Sequence, residues 1–257
     1  MSKVENWRLL DSETTHDVAL NLAIDEAVLQ ARVKKAVPPT VRFWRNHPAV
    51  VIGYSQSVYA EVDLKVCEKE NVRVVRRFTG GGAVYHDLGN LNYTVVLDAD
   101  HHLLRRLDIA ESYRVLCSGL IKALEALGLA ANFVPLSDIF IRGRKISGSA
   151  QSRRRGVVLH HGTLLVDVNL DMLTCVLTAH RRTMRNKSTS TWKPVTRLKD
   201  ELGCKVDMAT LKNALVKGFE RAFGIRLTHG TLTSVEEETA QNLYYSKYSR
   251  NDWNFWR

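Results

Sequence analysis

Hydrophobic patterning predicts an α+β fold in which helices pack on mixed β-sheets. Helical periodicities interleave irregularly with short apolar runs, and several of those runs adjoin like hairpin neighbours. No internal repeat, low-complexity tract or interdomain linker divides the 257 residues. A chain of this length fits one domain, and a 45% apolar share supplies a packed core, so residues 1–257 read as one unit without a further accessory domain.

Along the chain, Leu20, Ala23, Ile24, Ala27 and Val28 repeat as one face of a helix between His16 and Lys34. Val41–Arg45 alternates like a strand and is turned by Asn46-His47-Pro48; Ala49–Gly53 is a buried strand. A short helix is expected over Glu61–Glu70, then a strand over Val72–Val75 and another over Leu91–Leu97. Ile109, Tyr113, Leu116, Leu120 and Leu124 mark a strong helix that Gly128 stops. Strands follow over Ser137–Ile141, Lys145–Gln151 and Val157–Val168, then a short helix over Asn169–Leu177. His180–Lys199 lacks any period and reads as a mobile loop. Asp207–Phe223, stopped by Gly224, and Val235–Tyr248 are the last helices.

Composition narrows the function. No apolar run approaches the roughly 18 residues of a membrane helix, and the first residues lack a signal-peptide core, so a cytoplasmic protein is expected. Cys67, Cys117, Cys175 and Cys204 form no C-x-x-C pair, which argues against structural zinc and disulfides; Cys117 and Cys175 fall in apolar helical patterns and read as buried thiols. The net charge of +10 favours acidic partners, and the excess is concentrated. Arg142, Arg144, Lys145, Arg153, Arg154 and Arg155 stand within a stretch lacking acids, with Arg181, Arg182, Arg185 and Lys187 beyond it.

Three segments could carry chemistry. In Arg76-Arg77-Phe78-Thr79-Gly80-Gly81-Gly82-Ala83-Val84-Tyr85-His86-Asp87, three bare residues follow two guanidiniums. Such a loop suits backbone approach to an anion, with Arg76 or Arg77 as its cation; a glycine-rich hairpin turn is the other reading. It is neither a Walker loop nor G-x-G-x-x-G, and it joins strand to strand. Next, Gly143-Arg144-Lys145-Ile146-Ser147-Gly148-Ser149-Ala150-Gln151 is a strand with little side-chain bulk, against which a ligand can lie. Lys145 at its start could neutralise a phosphoryl or acyl oxygen, or be a surface lysine on an edge strand. Finally, of His160 and His161 only one can face a given site, and His161 reads first as a hydrogen-bonding core group. No cysteine sits in a basic polar loop that would stabilise its thiolate.

These segments, RRFTGGGAVYHDLGN (Arg76–Asn90), GRKISGSAQ (Gly143–Gln151) and HHGTLL (His160–Leu165), resemble the catalytic-domain signatures of the lipoate–protein ligase A family, within the biotin/lipoate ligase superfamily. The resemblance runs from NLAIDEA in the first helix to Asn251-Asp252-Trp253-Asn254. It implies a class II biotin/lipoate ligase-like catalytic domain that consumes ATP and Mg2+ to activate lipoate or octanoate as acyl-AMP. The acyl group then passes to a lysine of an acidic lipoyl-acceptor domain, such as a 2-oxoacid dehydrogenase subunit or a glycine-cleavage H protein. Lys145 is the implied catalytic residue, on the α-phosphate and acyl carbonyl. The implied binding set is Arg77, Gly80, Gly81, Gly82, Ala83, Val84, Tyr85, Asn90, Asp138, Lys145, Ser147, Gly148, His161 and Gly162. Arg77 takes phosphate, Asp138 lies on the adenine or Mg2+ side, and His161 and Gly162 flank an acyl tunnel walled by the strands of Val51 and Tyr93. Lys187–Arg197 resembles an adenylate-binding loop. Many relatives carry a further small domain, so a separate accessory subunit is a possible partner.

Octanoyltransferases share this fold, but those using an acyl-enzyme need a cysteine before the Lys145 strand or beyond the His161 strand. Ala131–Leu136 has none, and Cys175 reads as packed. A nucleic-acid module would need aromatics among the basic residues, and only Trp192 lies between 180 and 199. A biotin ligase would show G-R-G-R-x-G, which is absent.

Overall fold

The computed structural model describes residues 4–11, 13, 15–178 and 194–257. Its larger sheet has eight strands in the order β11 (Ile225–His229), β1 (Glu5–Leu10), β2 (Thr40–Trp44), β6 (Asn90–Asp98), β10 (Val157–Leu165), β9 (Arg144–Arg154), β8 (Asp138–Ile141) and β7 (Ala131–Val134). The first three run parallel and every pairing from β2 onward is antiparallel, so the sheet is mixed. A smaller sheet places β3 (Ala49–Ile52) between β4 (Arg73–Arg76), which is parallel to it, and β5 (Val84–His86), which is antiparallel.

Each face of the large sheet is covered differently. Leu91, Tyr93, Val95 and Leu97 of β6 point to one side, where α4 (Ile109–Ala126) and α7 (Met208–Phe223) complete a core with Leu116, Leu120, Leu215 and Phe219. Those helices touch closely: a Cβ on Gly119 would overlap the Phe219 ring, and one on Gly218 would stand 2.5 Å from the Gly119 carbonyl. The opposite face carries Asn92, Thr94 and Val96 of β6 and is covered by α1 (Val18–Val33) and the small sheet. Behind the small sheet lie α2 (Val58–Glu61), α3 (Leu64–Lys69) and α5 (Leu170–Val176) in a third apolar cluster. The remaining helices are α6 (Leu198–Leu202), α8 (Ser234–Leu243) on α1, and α9 (Asn251–Asn254) against β4.

Local chemistry explains the boundaries. Asp17 caps α1 by accepting from the Ala19 and Leu20 amides, and Asp108 with Glu111 forms a capping box at α4. Gly224 ends α7 in the left-handed conformation, φ +68°. The expected helix over Glu61–Glu70 is two short ones, because Val62 is extended and Asp63 caps a new start. The last helix gives way at Tyr244 to a π-helical turn over Tyr244–Tyr248. Strands β1, β5, β7 and β11 escaped the sequence reading: charged residues interrupt the apolar pattern of β1 and β11, while β5 and β7 are only three and four residues long. Most of the loop expected over His180–Lys199 lies outside the described residues, as do Trp192 and the Arg181–Lys187 cations; Lys199 itself belongs to α6. Among the described residues no helix is long and apolar enough to cross a membrane.

Candidate active site

Where the small sheet leans over the bare face of the large one, a cleft opens between the glycine loop and strands β9, β10 and β6. Its floor is a row of facing residues across four strands: Gly148 pairs Thr163, Thr163 pairs Asn92, and Asn92 pairs Trp44. Leu22 of α1, Val51 of β3 and Val84 of β5 supply apolar wall.

Lys145 stands at one end. Its Nζ lies 2.8 Å from Asp138 Oδ1, with Asp138 buried and the lysine side chain 29% exposed. The pair depends on Gly148, since a Cβ there would stand 2.7 Å from Lys145 Nζ and 3.3 Å from Asp138 Oδ1. The lysine thus lies flat over its own strand, held by a carboxylate and open to the cleft. Chain returning after residue 193 is anchored here: the Lys145 amide donates to the Pro194 carbonyl (2.7 Å), and the Thr196 amide to the Lys145 carbonyl (2.9 Å).

The loop from Phe78 to Ala83 supplies Gly81, Gly82 and Ala83 to the lining. Gly81 has φ +90°, and its carbonyl approaches Gly53 so closely that a Cβ on Gly53 would overlap it. Gly80 and Gly82 differ, because a Cβ on either would meet no protein atom within 4 Å. Gly82 lines the cleft. Its missing side chain therefore leaves open space at the cleft and is not required by the protein's own packing.

Both arginines before the loop are committed to backbone carbonyls. Arg77 donates to Val51 (3.1 Å), Gly80 (2.7 Å) and Gly82 (2.8 Å), and its Nε to Thr79 Oγ1 (3.0 Å). It lines the cleft as the clamp that shapes the glycine loop, and burial pushes its guanidinium down to about 10, still protonated at neutral pH. Arg76 turns away from the cleft. Fully buried, it donates to the carbonyls of Gly53, Tyr54, Gln56, Trp253, Asn254 and Arg257. The expectation that either arginine could serve as the loop's cation thus fails for Arg76, which fastens the chain's last residues behind β4.

His161 is braced from both ring nitrogens. Its Nδ1 lies 3.1 Å from Asp25 Oδ2 and its Nε2 2.7 Å from Thr79 Oγ1. Asp25, fully buried on α1, also accepts from Arg42 (2.7 Å) and Thr94 (2.9 Å). Asp25, whose carboxylate can only accept, takes the His161 Nδ1–H, while Thr79 Oγ1, which accepts the Arg77 Nε–H, lies against Nε2. The chain Arg42–Asp25–His161–Thr79–Arg77 therefore joins α1, β2, β10 and the glycine loop, and the core hydrogen-bonding role read for His161 fits the geometry. His86 also reaches the cleft; burial, then the nearby Arg77 charge, pushes its imidazole down to about 3, so it is neutral.

Of the residues expected at the site, Arg77, Gly81, Gly82, Ala83, Val84, Asp138, Lys145, Gly148, His161 and Gly162 line the cleft. Gly80, Tyr85, Asn90 and Ser147 do not. Gly80 is exposed on the loop, Tyr85 and Ser147 sit on strands whose alternation turns them to the opposite face, and Asn90 is buried beside Asn92. The strands of Val51 and Tyr93, expected as the tunnel wall, both reach the cleft through Val51 and Asn92, whereas Tyr93 itself faces away, toward Phe219 under α4 and α7. Sequence reasoning missed Trp44, His86, Asn92, Ser137 and Thr163, which strand alternation could have placed, and Asp25, whose pairing with His161 spans 136 positions. Cys117 is buried as expected, but on the far side of the sheet beside Ser149 and His160. Cys175 is exposed, contrary to the expectation: it lies on the outer side of α5, whose buried face carries Leu173 and Val176. No cysteine lines the cleft among the described residues.

The sequence and the fold match known proteins. The family described as the lipoyl protein ligase A/B catalytic domain matches residues 17–220, and the chain belongs to that family. It is 36% identical to the lipoate-protein ligase A subunit 1 of Thermoplasma acidophilum, over 96% of this chain and 95% of that one. It is 32% identical to the octanoyltransferase LipM of Halalkalibacterium halodurans, over 98% and 99%. Among solved structures it resembles the T. acidophilum bipartite lipoate protein ligase, described together with its E2 lipoyl domain (TM-score 0.85, 36% identity, 98% and 96% covered). It also resembles a lipoate-protein ligase A bound with ATP (TM-score 0.84, 35% identity, 97% and 98% covered). The chain is therefore an enzyme of the lipoate ligase and octanoyltransferase family.

Proposed function

We propose that the protein is an ATP-dependent lipoate–protein ligase, which activates lipoate as lipoyl-AMP and passes the acyl group to a lysine of a lipoyl-acceptor domain. The observation that carries this reading is the composition of the cleft. It offers a lysine, a buried carboxylate, bare loop backbone and a long floor, and among the described residues no thiol. Adenylate formation needs no protein nucleophile, because the substrate carboxylate itself attacks the α-phosphate. The protein must hold two anions together and neutralise charge as pyrophosphate leaves.

In this reading Lys145 bridges the acyl carboxylate and the α-phosphate, and Asp138 holds the ammonium in place. Gly82 leaves room for the nucleotide along the loop backbone, with Arg77 keeping the loop in shape. Asp138 is the one carboxylate among the described lining residues, and one carboxylate plus nucleotide phosphates suits Mg2+, which would supply further charge neutralisation there. The segment 194–197, paired with the Lys145 backbone, ties the end of the adenylate-loop candidate to the catalytic strand. The acceptor is expected to be acidic, because Arg142 and Arg144 on the β8–β9 turn and Arg153, Arg154 and Arg155 on the β9–β10 turn are half-exposed or exposed. An accessory polypeptide is proposed as a second partner, since the T. acidophilum relative is named a subunit and its structure is described as bipartite.

Octanoyl transfer is the second reading, favoured by the LipM relatives and the exposure of Cys175. Mass spectrometry of the protein with ATP, Mg2+ and lipoate, with and without an acceptor domain, separates the two. An acyl-adenylate that forms without an acyl-enzyme adduct, and persists in Cys175→Ala, is the expected result. An acyl-protein adduct from octanoyl carrier protein without ATP would overturn it.

A further inference from the structure

Away from the cleft, three metal-ligating side chains meet where β1 approaches the turn that follows β6. Glu5 stands at the start of β1, and His101 and His102 come just after β6 ends at Asp98. One ligand atom from each lies within 4.8 Å of the other two, and no other such trio stands among the described residues. Asn92, which lines the cleft, precedes Asp98 on the same strand by roughly 20 Å of extended chain.

His101 is the fixed member of the trio. Its Nε2 lies 2.8 Å from Glu5 Oε2, its side chain is 10% exposed, and its ring stands edge-on to buried Trp7 with centroids 5.4 Å apart. The exposed His102 ring lies against it, centroids 4.2 Å apart. Tetrahedral ligands at bonds of roughly 2.1 Å stand roughly 3.4 Å from one another, so modest rotations of His102 and of the 40%-exposed Glu5 side chain close the set on His101. Binding through Nε2 gives up only the long contact from the Leu103 amide to His101 Nδ1 (3.3 Å), a local hydrogen bond of small net worth. The His101–Glu5 contact is replaced by bonds of both groups to the ion.

The donor set names the class of ion. Two imidazoles and one carboxylate suit Zn2+ and its late transition-metal neighbours, whereas Mg2+ takes oxygen ligands and keeps its waters. The trio thus differs in kind from the Asp138 position. Three protein ligands leave a fourth place for water on the exposed side. In the sheet β1 and β6 flank β2, so an ion here ties together two strands that do not pair and closes a span of 96 residues.

We infer that Glu5, His101 and His102 form a zinc-class metal site that clips β1 to the turn after β6. It does not depend on which reaction the cleft performs.

Calorimetric titration of the full chain with Zn2+ alone, without nucleotide or acyl acid, is the test. The wild type should bind Zn2+ at a site that the double variant Cys175→Ser, Cys204→Ser retains, since those exposed thiols are the competing ligands. His102→Gln and Glu5→Gln alter partly exposed side chains outside the core, and each should weaken that site at least about tenfold. Zinc at about 100 times Kd should raise Tm by roughly 5 °C in the wild type and by less than about 2 °C in His102→Gln. On the unaltered protein, zinc-edge X-ray absorption at one equivalent should show nitrogen and oxygen neighbours without sulfur. Equal zinc affinity in the wild type and His102→Gln, sulfur in the coordination shell, or no binding at about 100 µM zinc would each overturn the assignment.

Discussion

Replacing Arg76 by methionine tests how the last residues of the chain support the glycine loop. Arg76 gives its five N–H groups to six carbonyls: Gly53, Tyr54 and Gln56 before β4, and Trp253, Asn254 and Arg257 beyond α8. Methionine fills similar space but donates nothing. Each buried carbonyl left unpaired costs about 1–3 kcal/mol, and those near the rim recover water, so we expect a net loss of about 3–5 kcal/mol. For a chain of this size that lowers Tm by roughly 10 °C. The Trp253 indole, which donates to the Arg76 carbonyl at 2.8 Å, should loosen as well and shift its fluorescence toward that of a solvated ring. Urea unfolding followed by circular dichroism and tryptophan emission measures both. A loss below about 1 kcal/mol would refute the reasoning, because solvent or local rearrangement would then replace the guanidinium.

Gly148→Ala should leave stability within about 1 kcal/mol, because the atoms it meets are the mobile end of Lys145, yet lower the rate of acyl-adenylate formation at least tenfold, as expected when a positioned charge is displaced; single-turnover assays with a melting curve check both. Asp25→Asn keeps the shape of the buried acceptor but removes the charge facing Arg42 and His161. Loss of one charge-assisted hydrogen bond predicts about tenfold slower adenylation, read by the same assay, and an unchanged rate would mean the brace is not used in the reaction. Stability should fall on acidification from pH 6.5 to 5. His86 and His160 are each held at about 3, chiefly by burial, so the unfolded chain takes up protons there that the folded chain does not. Two such groups predict a slope approaching about 2.7 kcal/mol per pH unit near pH 5, measured as urea midpoints across pH 5–8. A flat profile would contradict neutral burial of both rings.

Much of this site was legible in the chain itself. The glycine run between two apolar strands reads as a bare loop because such a stretch favours no regular element, and the structure does join strands through it, although the strand that follows is the short β5 rather than the one expected from Leu91. Lys145 at the head of a small-residue strand, and Gly148 three positions on, read as a ligand platform because strand geometry is periodic. What stayed hidden depends on partners distant in sequence. Nothing in the local pattern says that Arg76 faces the carbonyls near residue 254 while Arg77 faces the loop, since the pair differs only in the side of the strand from which each emerges. The apolar pattern around Cys175 suggested burial, yet Leu173 and Val176 satisfy α5 and leave the thiol outside.

The sequence by itself determined the fold class, the strand-joining loop, the lysine platform and the basic character of the surface, because propensity, periodicity and charge are properties of neighbouring residues. Only the tertiary structure decided which side chains share the cleft. It paired Asp25 with His161 across 136 positions, spent both arginines on carbonyls, and brought His86 and Asn92 to the cleft wall. Hydrogen-bond satisfaction is a three-dimensional count, made only once distant strands lie side by side.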